Sequence, residues 1–265
     1  MNGAIVYVVG IGPGGKNHLS PRARAAIKKS QIVVGYSTYI AQLTGLLAGK
    51  RIIHAGMTRE LERAAAALEQ ARRGACVALV SGGDAGIYGM AGPALESLRQ
   101  DDDIRVEVIP GITALSGCAA LLGAPIMNDF AAISLSDLLT GRAVMERRIK
   151  YAAQGDFVIV FYNPKSKNRA RPLLRARDIL LRHKSSQTVV GIARNATRGE
   201  EKKMITDLQN MFSFAEIDMA TTIIVGNSQT YVKITKNEKY MITPRGYKFA
   251  SPSTNAREYN VGAIE

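Results

Sequence analysis

The sequence predicts an α/β fold divided into two domains. Three observations carry this. Short apolar runs with strand character alternate with helical stretches from the start of the chain, the pattern of a parallel sheet with helices on both faces. Glycine-rich loops sit where strands end, at 10–15, 81–92 and 110–114. Gly123-Ala124-Pro125 then interrupts the alternation, and a second strand series follows it. The boundary is placed near 125–130. This gives an N-terminal α/β domain over 1–127, a C-terminal α/β domain over 128–247 and a tail over 248–265.

The first strand is 4–9, continuous and apolar. Gly10-Ile11-Gly12-Pro13-Gly14-Gly15 follows it and satisfies G-x-G-x-x-G by letter. A dinucleotide site needs a helix opening straight out of that loop and an acid about 20 residues on. Here Ser20 as N-cap and Pro21 at the first helical position delay the helix, and the first acid of the chain is Glu60. The loop is expected to face a ligand other than a dinucleotide, which disfavours a nicotinamide oxidoreductase. Helix 21–29 leads to a strand over 31–34, and helix 38–47 to a short strand over 51–54. Helix 58–73, rich in Ala, Glu and Arg, takes Thr58 as its cap and ends at Gly74.

Strand 76–80 runs into Ser81 to Gly92, where five glycines and one acid, Asp84, fall within twelve residues. Glycine lets a strand end turn sharply and approach a bound molecule. Asp84 supplies an acceptor suited to a ribose hydroxyl or an amine. A tight strand-to-helix turn is the plainer alternative, and the number of glycines favours a binding loop. Helix 93–99, a solvated turn at Asp101-Asp102-Asp103, strand 104–109, the loop Pro110 to Ala114 and helix 114–122 complete the first domain. The ligand side is expected at the carboxyl ends of the strands, where the three loops converge. The second domain is read as strands 131–135, 156–161, 187–193, 220–225, 230–234 and 239–242, with helices 142–153, 170–182 and 205–212 between them. From Arg245 the tail is polar and irregular.

The 265 residues are 46% hydrophobic, enough for a sizeable core, and no apolar run reaches the length of a membrane span. The chain enters its first strand without a basic segment and cleavage site, so a cytoplasmic protein without a membrane partner is expected. Cys76 and Cys118 are read as reduced core thiols, and His18, His54 and His183 stand apart, so no metal site is expected. The net charge of +13 asks for an anionic partner. Residues 1–59 hold no Asp or Glu, and a second basic run comprises Lys165, Lys167, Arg169, Arg171, Arg175 and Arg177. With no tryptophan and 6% aromatics, the surface lacks the stacking residues of single-strand binders, and no nucleic acid is expected. A polyanionic small molecule is the remaining candidate.

Several stretches together resemble the tetrapyrrole methylases, enzymes that use S-adenosylmethionine and include the corrin-ring methyltransferases. They are Gly10 to Gly14, Ser81 to Asp84 with Tyr88-Gly89, Pro110 to Ala114, and Thr221 to Gly226. Within the family the chain is most similar to the members that methylate carbon 17 of a precorrin. That likeness is carried by Val34-Gly35-Tyr36, Thr38-Tyr39-Ile40, Ile133 to Thr140, Phe161 to Ser166 with Arg169, and Thr243 to Tyr247. The chain departs from that pattern at Ala85, where proline is usual, and at Gly141-Arg142, where Pro-Trp is usual.

The resemblance implies two α/β domains with an active-site cleft between them, a homodimer, S-adenosylmethionine as methyl donor and S-adenosylhomocysteine as product. The substrate implied is a polycarboxylate tetrapyrrole, precorrin-3B or its cobalt counterpart, methylated with ring contraction. Carried over by position, the cofactor contacts are Ile11, Gly12, Pro13, Gly83, Asp84, Ile87, Tyr88, Thr113, Ala114, Tyr162, Ala193 and Thr222. The aspartate loop would cradle the methionine and ribose portion, and the second-domain strand ends the adenine. Asp137 with Ser136 is the candidate acid–base group, and Ser134, Asn163, Lys165 and Arg169 are candidate substrate contacts. Plainer alternatives stand beside these: a helix N-cap for Asp137, a strand-end turn for Tyr162-Asn163-Pro164, and a solvated helix face for Arg169. A methyltransferase of the same fold acting on another tetrapyrrole position or on ribosomal RNA is the competing function.

Overall fold

The computed structural model describes residues 4–56, 58–166 and 169–247. Lys167 and the expected tail 248–265 lie outside the described residues. Among the described residues no helix is long and apolar enough to cross a membrane.

The first part alternates as its sequence suggests. β1 (Ile5–Gly10) is followed by a 3-10 turn at Lys16–His18 and α1 (Pro21–Lys29). Ser20 caps α1, its Oγ accepting from Ala23 N at 3.1 Å. Next come β2 (Ile32–Tyr36), α2 (Ser37–Ala41), β3 (Arg51–Ala55), α3 (Glu60–Arg72) and β4 (Cys76–Ser81). α4 (Ala91–Glu96), β5 (Arg105–Ile109) and α5 (Ala114–Leu122) follow. The strands form one sheet of order β3-β2-β4-β1-β5, and every pairing in it is parallel. Alternate side chains feed opposite faces. Val6, Val8, Val34 and Leu79 pack on Ala64, Ala67 and Leu68 of α3, whereas Tyr7, Val9, Val33 and Val80 pack on Ala23 and Ile27 of α1. β1 lies between β4 and β5, with Gly10 opposite Ser81 and Val9 opposite Ile109. The loops leaving these three strands therefore start side by side.

After β6 (Gly123–Ala124), a second sheet contains β7 (Phe130–Ser134), β8 (Val158–Tyr162), β9 (Val189–Arg194), β10 (Lys202–Asp207) and β11 (Thr221–Val225), with α6 (Arg142–Gln154) and α7 (Arg171–Leu180) between strands. Its order is β10-β9-β11-β8-β7. Only the β7–β8 pairing is parallel. Phe161, Ile192, Ile223 and Val225 face Ile149 of α6 and Leu173 of α7. Val158, Val160, Ala193 and Ile224 face Leu115, Cys118 and Leu122 of α5, so the helix that follows β5 packs on the second sheet. β12 (Tyr231–Ile234) and β13 (Lys239–Ile242) form a hairpin that adds to β6.

Four expectations need correction. The helix read over 205–212 is strand β10, a turn and a 3-10 turn at Met211–Ser213. Ile205 and Thr206 pair antiparallel with Gly191 and Val190, and this ladder outweighs local helical preference. The helix read over 38–47 stops at Ala41 and continues as turns. α3 starts at Glu60 after Arg59, not at Thr58, which has φ 65.

The fourth correction concerns Asp102, expected in a solvated turn. Its side chain is 6% exposed, and its oxygens accept from Arg72 Nε and Nη2 at 2.6 and 2.7 Å and from Arg99 N at 2.8 Å. The Arg72 guanidinium, helped by the Arg99 N–H, lowers its pKa to about 2. An unfolded aspartate titrates near about 3.9, so this group contributes stability above about pH 4 that is lost as pH falls toward its folded value. Urea unfolding midpoints of the wild type are expected to decline across that window. Asp102→Asn should start lower at neutral pH and meet the wild type at the acid end. Curves that stay parallel would exclude this linkage.

Candidate active site

The glycine loops at the carboxyl edge of the first sheet pack against one another backbone to backbone. Ile11 N donates to Ser81 O at 2.9 Å, Gly12 N to Gly83 O at 3.0 Å and Gly83 N to Gly12 O at 2.8 Å. A Cβ on Gly111 would lie 2.3 Å from Gly83 O and 2.7 Å from Gly10 C. Asp84 stitches the junction: Oδ1 accepts from Gly86 N at 2.7 Å and Oδ2 from Gly111 N at 2.9 Å. The glycine richness of 81–92 thus has a cause inside the protein. The ring of Tyr39 fills the space beside Gly82, and Ala85 O lies 2.5 Å from where a Gly89 Cβ would stand. The surface left for a ligand is what the loops expose: Ile87 at 41%, Tyr88 at 54% and Ile112 at 42%.

Tyr162, at the end of β8, faces this junction from the second sheet. Its hydroxyl accepts from Leu115 N at 3.0 Å and shares a 2.5 Å hydrogen bond with Thr113 Oγ1. Burial pushes its phenol pKa up. The Tyr88 ring sits 5.2 Å from the Tyr162 ring, and Tyr88 OH donates to Ala132 O at 3.0 Å. Tyr88 thereby links the aspartate loop to β7. Ala114 starts α5 next to Thr113. Ala193 and Thr222 are cross-strand partners, both buried, with Cys118 Sγ 3.9 Å from Ala193 O.

The sequence reading missed a second link across the sheets. Thr197 Oγ1 donates to Gly14 O at 3.2 Å, and Arg198 Nε donates to Pro13 O. The Arg198 side chain fills the space a Gly14 side chain would need. Asn195 and Thr197 hold φ of 53 and 68, unusual for residues with a Cβ. Gly14-Gly15 carried half of this signal in the sequence, but its partner is more than 180 residues away.

Ser134, Ser136, Asp137, Asn163 and Arg169 gather at the ends of β7 and β8. Ser134 Oγ accepts from Asn163 Nδ2 at 3.0 Å and from Ser136 N at 3.2 Å. The Arg169 side chain is 13% exposed, and its guanidinium donates to Leu135 O and, at 3.2 Å, to Asn163 O. It lies before α7 and fixes the turn carrying Asn163, so a solvated helix face does not describe it. Asp137 is not a helix cap either: α6 begins after Gly141. Its oxygens face Arg169 Nε at 4.0 Å and Arg142 Nη2 at 3.7 Å. Lys165 is half-buried on the same turn as Asn163. The expected residues thus fall mainly into two groups, one at the glycine junction and one at the ends of β7 and β8, linked through Tyr162-Asn163, while Ala193 and Thr222 lie buried beside Cys118 of α5.

Comparison with known proteins matches residues 5–211 to the model of the Tetrapyrrole (Corrin/Porphyrin) Methylases. A probable cobalt-factor III C(17)-methyltransferase of Salmonella typhimurium is 49% identical over 244 residues, 92% of this chain and 99% of that protein. A cobalt-factor III methyltransferase of Priestia megaterium is 47% identical over 248 residues, 92% of this chain, which spans 45% of the longer Priestia protein. The crystal structure of the methyltransferase CobJ superposes with a TM-score of 0.84 at 33% identity, over 92% of this chain and 100% of that one. The uroporphyrin-III C-methyl transferase of Thermus thermophilus, complexed with S-adenyl homocysteine, shares the fold with a TM-score of 0.61 at 23% identity, over 83% of this chain and 91% of that one.

Proposed function

The chain belongs to the tetrapyrrole methylase family, and we propose that it transfers the methyl group of S-adenosylmethionine to carbon 17 of cobalt-factor III, with ring contraction, in cobalamin biosynthesis. The observation that carries the reading is the junction of Gly12, Gly83 and Gly111, stitched by Asp84 and faced by Tyr162. The names of the Salmonella and Priestia relatives support the acceptor. The reading includes two domains, 1–127 and 128–247, a homodimer and a cytoplasmic enzyme.

The residues at the junction suit the cofactor. A carboxylate has about four acceptor sites, so Asp84 retains capacity beyond the two N–H groups it holds. Ile87 and Ile112 expose apolar surface beside it, as an amphipathic ligand requires. Ile11, Gly12, Pro13, Gly83, Asp84, Ile87, Tyr88, Thr113 and Ala114 would hold the methionine and ribose portion, and Tyr162, Ala193 and Thr222 the adenine side. When bound, the sulfonium supplies a methyl group already activated for displacement. The chain contributes placement and exclusion of water. The Tyr88–Tyr162 contact closes one side of the junction, and the Thr197–Arg198 link fixes the loop at Pro13 and Gly14. Ser134, Asn163 and Lys165 would meet the substrate on a turn held by Arg169. Asp137, oriented by Arg142 and Arg169, is the group placed to move a proton, with Ser136 beside it.

Calorimetric titration with S-adenosylhomocysteine, followed by turnover of cobalt-factor III and of precorrin-3B read by mass and absorption spectra, tests the reading. Asp137→Ala should bind S-adenosylhomocysteine as the wild type does and lose about 100-fold or more in turnover. A fully active Asp137→Ala would remove the acid–base assignment. A wild type that ignores S-adenosylhomocysteine would remove the function.

A further inference from the structure

A cavity of about 460 Å³ opens between the starts of α6 and α7, lined by Arg142, Met145, Glu146, Arg171, Pro172, Leu174 and Arg175. Three guanidinium groups stand there against one carboxylate. Arg175 is balanced by Glu146, with Nε 3.2 Å from Oε1. Arg142 has its Nη2 3.7 Å from Asp137 Oδ2 and its side chain is 60% exposed. Arg171 has no carboxylate within ion-pair distance among the described residues, and it is exposed. The cavity thus carries uncompensated positive charge over an apolar floor of Met145, Pro172 and Leu174.

A chain of contacts connects this cavity to the candidate active site. Tyr162 meets Thr113, and the adjacent Asn163 accepts from Arg169. Arg169 faces Asp137, and Asp137 faces Arg142 at the cavity's lip. Arg142 and Arg171 are the first residues of their helices, where the helix field favours an acid over a base, so neither serves its own helix.

We propose that this arginine-lined cavity is a carboxylate subsite that takes an acetate or propionate side chain of the tetrapyrrole substrate. Guanidinium forks match carboxylates in a bidentate geometry, and the apolar floor suits the methylene stem that carries each carboxylate. Arg171 offers a fork that pairs with no carboxylate among the described residues, and Arg175 is steered by Glu146. The inference rests on the function proposed above and adds a specificity determinant to it.

The test is fluorescence titration of the intact protein with uroporphyrin III and with its octamethyl ester, which keeps the macrocycle and the side-chain stems but carries no free carboxylate, alongside calorimetry with S-adenosylhomocysteine. Arg171→Glu breaks no ion pair among the described residues and places an acid where its helix favours one, so folding is spared. It should bind uroporphyrin III about tenfold or more weakly than the wild type, with S-adenosylhomocysteine affinity unchanged. Arg171→Lys should recover part of the loss. In turnover, the substrate KM should rise while kcat changes little. Equal uroporphyrin affinity of Arg171→Glu and wild type would overturn the subsite, as would a wild type that binds the octamethyl ester as tightly as uroporphyrin III. Failure of the wild type to bind S-adenosylhomocysteine would instead overturn the function on which the subsite rests.

Discussion

Gly111→Ala is expected to lose detectable S-adenosylhomocysteine binding and to destabilise the protein by about 1–3 kcal/mol. The added methyl would lie 2.3 Å from Gly83 O and 2.7 Å from both Gly10 C and Gly10 O. These are backbone atoms, of the last residue of β1 and of the loop just after β4, so no side chain can swing aside. Relief requires the loops after β1, β4 and β5 to separate. That would lengthen the Gly12–Gly83 pair and pull Gly111 N from Asp84. An error of about 1 Å in such a site is enough to lose about 100-fold in function. Gly56→Ala serves as the control, because its new methyl meets nothing within 4 Å. A Gly111→Ala protein with wild-type urea stability and ligand affinity would mean that the junction is softer than its packing implies.

The same junction shows what a sequence can and cannot disclose. The parallel first sheet was legible because β1 and β4 are continuous apolar runs and strands alternate with helices, and Ser20-Pro21 announced a helix that the structure starts at Pro21. The loops at 10–15, 81–92 and 110–114 were legible as glycines at strand ends. Their cause was not: Gly82 is small for Tyr39, and Gly10 and Gly111 are small for each other, contacts across 43 and more residues that no local pattern encodes. Strand β10 was misread for a similar reason. Lys202 to Asp207 becomes a strand through its ladder with β9, and the partner strand is not visible from those six residues. The candidate site residues were recognisable from motif resemblance. The Thr197–Arg198 link and the arginine cavity were not, because each joins segments that lie together only in the folded chain.

Asp84→Ala is expected to weaken S-adenosylhomocysteine binding by about 10- to 100-fold while leaving the sheet intact. Among the described residues the carboxylate's hydrogen-bond partners are two main-chain N–H groups, one within its own loop and one in the loop after β5, so its removal takes no side chain out of the core. A hydrogen bond to a charged acceptor contributes about 1.5–3 kcal/mol, and about 1.4 kcal/mol is tenfold in affinity. Losing the Gly111 bond alone would therefore account for the lower bound by letting two ligand-facing loops drift. Losing acceptor capacity aimed at the ligand would add the rest. Asp84→Asn separates these contributions. One amide oxygen can still accept from one N–H, but the amide nitrogen would oppose the other, so the asparagine variant should fall between wild type and alanine. Hydrogen exchange at the Gly111 amide reads the bridge directly. Protection should be present in the wild type, reduced in Asp84→Asn and lost in Asp84→Ala. If Asp84→Ala keeps that protection yet binds weakly, the carboxylate acts on the ligand alone. If it loses protection and binds at full strength, neither the bridge nor the charge is needed, and Asp84 leaves the site.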